Sequence, residues 1–96
     1  MNIDFSGAIM IETKFQKAEM KNSILTGCNL TRAEFQHADL TEACLRSCDL
    51  TDADMNSSIL LNADLSFSNL KGAKLHKAIT TGLKRQGANL SMGGKL

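Results

Sequence analysis

From residue 5 to residue 75 every fifth position is apolar: Phe5, Met10, Phe15, Met20, Leu25, Leu30, Phe35, Leu40, Leu45, Leu50, Met55, Leu60, Leu65, Leu70 and Leu75. Neither regular element accommodates that period. An α-helix turns about 100° per residue and would spread these side chains round its whole circumference. A straight strand alternates faces at each residue and would throw successive members to opposite sides. Two residues before the apolar positions stands a column of small side chains, running from Ala8, Thr13 and Ala18 through Cys28, Ala33 and Cys48 to Ala73 and Ala78. Only Ile3 interrupts that column before residue 83. A backbone that returns one large and one small side chain to an interior every five residues bends once per repeat, and so coils as a solenoid.

The number of repeats in one turn follows from which side chains then stack. A twenty-residue turn aligns Asn29, Asp49, Asn69 and Asn89, and pairs Cys28 with Cys48, Phe15 with Phe35, Gln16 with Gln36 and Thr31 with Thr51. A fifteen-residue turn would stack Asp4, Glu19, Glu34, Asp49 and Asp64 as five carboxylates, which like-charge repulsion disfavours. Twenty residues still sets Glu19 beside Asp39 and Glu34 beside Asp54, so the choice is a preference. It predicts four repeats per turn and a square cross-section.

The segment ADLTEACLRSCDLTDADM, residues 38–55, resembles the pentapeptide repeat family, whose repeat reads A(D/N)LXX. The resemblance covers residues 3–79 and returns weakly at Ala88-Asn89-Leu90. It implies an all-β fold, a right-handed quadrilateral β-helix of about five coils of twenty residues, and its handedness comes from the resemblance alone. Nothing in the residues themselves supports an enzyme. Homodimers are common in the family, usually through C-terminal elements, and some members shield DNA gyrase from quinolones by imitating duplex DNA.

Residues 80–96 break the rule. Thr80 and Arg85 occupy slots for large apolar residues, and Leu83 a slot for a small one. An inward arginine in an apolar core is costly unless paired. The expectation is therefore one domain over residues 1–96, regular over 3–79, with residues 80–87 leaving the coil as a loop or short turn. Ala88-Asn89-Leu90 then rejoins it, Leu83, Met92 or Leu96 folds over the last coil, and Gly93-Gly94 ends the chain loosely. At the other end the first coil shows Phe5, Met10, Phe15 and Met20 to a partner or to a second copy, a homo-oligomer through a solenoid end.

No apolar run approaches the length of a membrane span, and the first residues lack a basic signal-peptide region. Three cysteines, Cys28, Cys44 and Cys48, fit a reducing compartment, which makes the cytoplasm the expected location. Cys28 and Cys48 are expected inward as free thiols, because parallel side chains approach poorly for a disulfide. Cys44 is expected to be more exposed and inert. His37 and His76 fall on different columns, so no metal site is expected. The repeated acids Asp4, Asp39, Asp49, Asp54 and Asp64, with Asn29, Asn69 and Asn89, are expected to bond turn amides rather than to catalyse, since catalysis needs carboxylates in unlike environments. No glycine-rich phosphate loop is present, and no catalytic residue or cofactor is expected.

Net charge is +1, but its distribution is uneven: residues 1–64 carry all ten acids and five basic residues, and residues 65–96 carry six basic residues alone. In a solenoid, position in sequence is position along the axis, which predicts an acidic body and a basic C-terminal end. The candidate interaction residues are Lys71, Lys74, Lys77, Lys84, Arg85 and Lys95, together with Leu61 and Phe67 from an outward apolar set that also takes in Ile59, Leu60 and Ile79. The first reading is a module that binds an unknown protein partner, with no membrane contact. The alternative is a DNA-mimic modulator of gyrase, disfavoured because mimicry needs dense negative charge. Nucleic acid is disfavoured as a partner because no aromatic residue interleaves with the lysines to stack on bases.

Overall fold

The computed structural model describes residues 3–92. Within them the chain winds as a rod of 33 × 23 × 22 Å. Fourteen parallel bridges, from Asp4–Ile24 to Asn69–Asn89, all join residues twenty apart, so one turn of the solenoid takes four five-residue repeats. Residues 3–22, 23–42, 43–62 and 63–82 form coils 1 to 4, and residues 83–92 begin the next.

Each repeat has the same local structure. Three residues run straight along a face, the outer two pointing in and the middle one bridging to the coils above and below. A turn follows, closed by a hydrogen bond from the fourth residue's amide to the first residue's carbonyl, as Ala8 donates to Phe5. Face 1 holds residues 3–5, 23–25, 43–45, 63–65 and 83–85. Face 2 follows at 8–10 and its equivalents, face 3 at 13–15, and face 4 at 18–20.

The third residue of every turn has positive φ. Five of these positions are glycine; twelve are not, among them Glu12, Lys17, Arg32, Ser47 and Phe67, at φ between 56° and 62°. An L side chain pays roughly 1–2 kcal/mol there. The ladder overrides that cost, because the same residue's amide bonds the next coil, as Ser47 N–H does to the Ser66 carbonyl at 2.9 Å. Two further amide bonds per repeat cross between coils, from the large apolar residue upward and from the bridging residue downward.

The interior is a set of like stacks. Leu25, Leu45 and Leu65 superpose on face 1, and Leu30, Leu50 and Leu70 on face 2, all fully buried. Each contributes about 1.5–3 kcal/mol of apolar burial. Phe15 and Phe35 stack with ring centroids 5.0 Å apart and planes 10° from parallel, the pairing expected from the twenty-residue turn. Polar residues in the small column stay satisfied. Ser58 Oγ donates to the Met55 carbonyl at 2.8 Å. Ser68 Oγ donates to the Leu45 carbonyl at 2.5 Å and accepts the Cys48 amide at 3.0 Å, which relays the turn bond that residues 45–48 do not make directly.

Three expectations are corrected. Residues 80–87 do not leave the coil: Ile79, Lys84 and Asn89 bridge to Ile59, Asp64 and Asn69, and Gly82 and Gly87 supply the positive φ of two ordinary turns. Arg85 occupies the apolar slot of face 1 yet remains exposed, because among the described residues no coil covers that slot from above. The desolvation cost that argued for a loop is therefore not incurred. At the other end Phe5, Met10 and Phe15 are half-buried, but Met20 is only 5% exposed and does not belong to the open surface. Leu60 is fully buried and leaves the outward apolar set. Leu83 and Met92 pack against the core, whereas Gly93, Gly94, Lys95 and Leu96 lie outside the described residues.

Two turn glycines distinguish backbone cost from crowding. A Cβ at Gly27 meets open space, whereas one at Gly82 collides with the Asn62 side chain. Gly27→Ala should cost about 1 kcal/mol from φ alone, and Gly82→Ala about 1 kcal/mol more, since Asn62 must also move. Ser47→Gly should raise stability by about 0.5 kcal/mol. Denaturant midpoints of the three variants check the order.

Candidate interaction surfaces

The bridging residue of each face points outward, so the outer columns carry whatever the protein presents. Eight of those residues are committed to the backbone. Asp4, Asn29, Asp39, Asp49, Asp54, Asp64, Asn69 and Asn89 each accept, through Oδ1, the amide two residues on, at 2.9–3.2 Å. This is the turn-capping role expected of them, and it lowers several of their pKa values. The Ser6 hydroxyl and amide hold Asp4 below the usual carboxylate range. The Thr51 hydroxyl does the same for Asp49 against opposing burial, helped by the Thr51 amide and Thr31. At Asp39 burial pushes the carboxyl up, but the Thr41 hydroxyl and amide and the Lys21 ammonium outweigh it. At Asp64 burial is likewise outweighed, by Ser66 and by Arg46.

Face 1 carries a shallow open groove of about 480 Å³, lined by Glu42, Ala43, Cys44, Asn62, Asp64 and Lys84. Its corners hold the two apolar candidates. Leu61 stands on the corner before coil 4, and Phe67 on the corner after its face 1, half exposed at φ 62°. Phe67 is the one apolar residue among the seventeen positive-φ positions. Arg46 fixes it from below: its guanidinium lies 5.1 Å from the ring centroid and its Nη1 is 3.2 Å from Asp64 Oδ2. Gly87 makes room for it above, where a Cβ would strike the ring.

The basic end is two surfaces rather than one. Lys84 lines the groove of face 1, whereas Arg85 sits in the inward slot of the same face, exposed at its upper end. Lys71, Lys74 and Lys77, with His76, stand on face 3 of coil 4 and its corners, across the rod from Lys84. None of these five cations forms an ion pair among the described residues; the three pairs present are Lys21–Asp39, Arg32–Glu12 and Arg46–Asp64. Lys95 lies outside the described residues. The contribution of Arg46, which sequence order separates from Phe67 by twenty-one residues, follows only once the coils are stacked.

The cysteines are free. Cys28 donates to the Phe5 carbonyl at 3.0 Å and Cys48 to that of Leu25 at 2.9 Å, each one coil below. Burial pushes both thiols up, Cys48 to about 12. Cys44 is half-buried in the groove, its Sγ 3.3 Å from Thr26 Oγ1. Among the described residues no group of three metal-ligating side chains converges, and no helix is long and apolar enough to cross a membrane.

The sequence profile of the pentapeptide repeat region matches residues 1–75. The chain belongs to the pentapeptide repeat family. Solved structures agree with the architecture. A pentapeptide repeat protein from the Arabidopsis thaliana thylakoid lumen is 31% identical, with a TM-score of 0.74 over 92% of this chain and 58% of its own. One from Nostoc Pcc 7120 is 25% identical, with a TM-score of 0.79 over 86% of this chain and 84% of its own. A plasmid-mediated fluoroquinolone resistance protein is 19% identical, with a TM-score of 0.76 over 88% of this chain and 46% of its own, a likeness of fold. The chain thus spans little more than half of the first of these proteins. Comparison with curated protein sequences returns no match. Membership of the family makes the solenoid a right-handed β-helix.

Two measurements follow from the capped carboxylates and the thiols of this pentapeptide repeat protein. Because folded Asp4, Asp39, Asp49 and Asp64 titrate below their unfolded values, their stabilisation is complete above about pH 4 and lost as pH falls through the lowered folded pKa values. Unfolding free energy should be flat from neutral pH to about pH 5 and fall below pH 4, less steeply in Asp49→Asn, which keeps the capping oxygen without the titration. A thiol reagent at mildly alkaline pH should react with Cys44 alone in the native protein, and with Cys28 and Cys48 only on unfolding.

Proposed function

We propose that this chain is a non-enzymatic scaffold that holds a protein partner on face 1. The family supplies the class, being one of structural and interaction proteins. The observation that carries the choice of surface is Phe67, a bulky apolar residue kept exposed at positive φ, with Arg46 on one side and Gly87 clearing space on the other. Residues held in strained backbone cluster at functional sites, and aromatic residues and arginine are each enriched at protein interfaces. Lys84 lines the groove of that face and Leu61 stands on the corner before it, so a partner would meet an apolar contact on each flank and one cation between them. The free thiols, one of them half exposed, fit a cytoplasmic protein.

A DNA-mimic role has fold alone in its support. Mimicry requires carboxylates free to stand in for phosphates, at one charge per about 1.7 Å. Here Asp39, Asp49, Asp54 and Asp64 are bound to turn amides, and Lys74 and Lys84 stack directly above Asp54 and Asp64.

The experiment is affinity capture from the source cell, comparing wild type with Phe67→Ser, Lys84→Glu and, as the opposite-face control, Lys74→Glu. The expected result is a partner lost with Phe67→Ser and weakened with Lys84→Glu, each by about tenfold or more, but retained with Lys74→Glu. Retention by both face 1 variants would reject the site.

A further inference from the structure

The column of small residues that opens face 2 runs Ala8, Cys28, Cys48, Ser68 and Ala88, one residue per coil. Its two cysteines are in register, since the residues that follow them, Asn29 and Asp49, form a bridge. Both side chains make the same contact. Cys28 Sγ donates to the Phe5 carbonyl and Cys48 Sγ to the Leu25 carbonyl, each acceptor lying one coil below. One sulfur is therefore the other carried up by one coil, and the two stand about one inter-strand spacing apart, about 4.8 Å. Both thiols are free and buried. The Cys48 S–H is directed down at coil 2, the coil that carries Cys28.

We propose that Cys28 and Cys48 form a two-sulfur site for one soft monovalent cation of the copper(I) class, held between coils 2 and 3. A metal–thiolate bond of about 2.3 Å, doubled, spans about 4.6 Å, close to the spacing of the two sulfurs. Sulfurs stacked in this way suit linear two-coordination, and soft thiolate ligands select copper(I). Zinc is disfavoured. A structural zinc site takes four ligands, and among the described residues no group of three metal-ligating side chains converges. The rest of the column adds no ligand. The Ser68 hydroxyl above is committed to the Leu45 carbonyl and the Cys48 amide, and Ala8 below offers only a methyl group.

Binding exchanges two S–H bonds for two metal–sulfur bonds and releases two protons to solvent, which leaves the site with one negative charge. No electron is transferred when the ion arrives as copper(I). Loss of the thiol protons orphans neither carbonyl, because Phe5 still accepts the Ala8 amide and Leu25 the Cys28 amide. Burial opposes the anionic sulfurs, but backbone amides favour them: those of Ala8 and Gly7 at Cys28, and those of Cys28 and Gly27 at Cys48. Cys44 is the competing thiol. It stands on the outer side of face 1, where its bridge partners are Ile24 and Asp64, so no second sulfur stacks on it.

The test offers the full native chain copper(I) from its bicinchoninate complex in oxygen-free solution. Incubation is long, because a buried pair loads through local opening of the coil. Wild type should take up one ion per chain, with two sulfur ligands by X-ray absorption. Because two protons leave, its affinity should rise about a hundredfold per pH unit. The loaded protein should also unfold at higher denaturant concentration than the free one. Cys28→Ala and Cys48→Ala should each abolish uptake and that shift, whereas Cys44→Ala should bind as wild type does. Alanine already occupies this column at residues 8 and 88, and an unchanged circular dichroism spectrum confirms that each variant folds. No uptake by wild type, uptake that survives Cys28→Ala or Cys48→Ala, uptake lost in Cys44→Ala, or a coordination number other than two would overturn the inference. The pair faces the interior, so the outcome is independent of the partner-capture experiment.

Discussion

The structure depends on one repeated constraint: a chain that turns a corner every five residues must place one residue per corner at positive φ and still bond its amide. The coil above provides the acceptor. Each strained turn is therefore held by its neighbours, and a single coil would not hold itself. That is the physical content of a stacked repeat, and it explains why glutamate, lysine and arginine occupy positions where an isolated turn would demand glycine. The apolar stacks add burial energy, but the parallel ladder sets the twenty-residue register in which they superpose.

The same constraint sorts the surface by role. Bridging residues face outward and are the obvious candidates for recognition, yet eight of them turn their side chains back to cap the following corner. What remains for a partner is the corners and the few bridging positions that are not Asp or Asn. Phe67 with Arg46, Leu61 and Lys84 are all of that kind. A carboxylate spent on the backbone contributes to acid stability, not to a negative recognition surface.

Much of this was readable from residue order. The five-residue period gave the bends, the stacking of Phe15 on Phe35 and of Cys28 on Cys48 gave the turn length, and repetition itself identified the capping acids. What escaped had a common cause: energetic cost depends on the neighbouring coil. Arg85 looked incompatible with an apolar slot, but among the described residues no coil lies above that slot, which leaves it open to solvent, and residues 80–87 continue the helix. The lysines from 71 to 84 looked like one basic end because they are consecutive in sequence; their spacing distributes them over opposite faces. The cage around Phe67 draws on residues 46, 67 and 87, which no local pattern joins.

The central claim is that one hydrogen-bonded ladder runs without interruption from the first coil through Asn89. Residue-resolved amide hydrogen exchange tests it most directly. The account predicts slow exchange at Ile59, Asp64, Lys84 and Asn89, whose amides donate to Ala38, Ala43, Ala63 and Ser68. Protected amides at Ile59 and Asp64 with free-peptide exchange at Lys84 and Asn89 would contradict it, and would mean that the chain leaves the coil near residue 80.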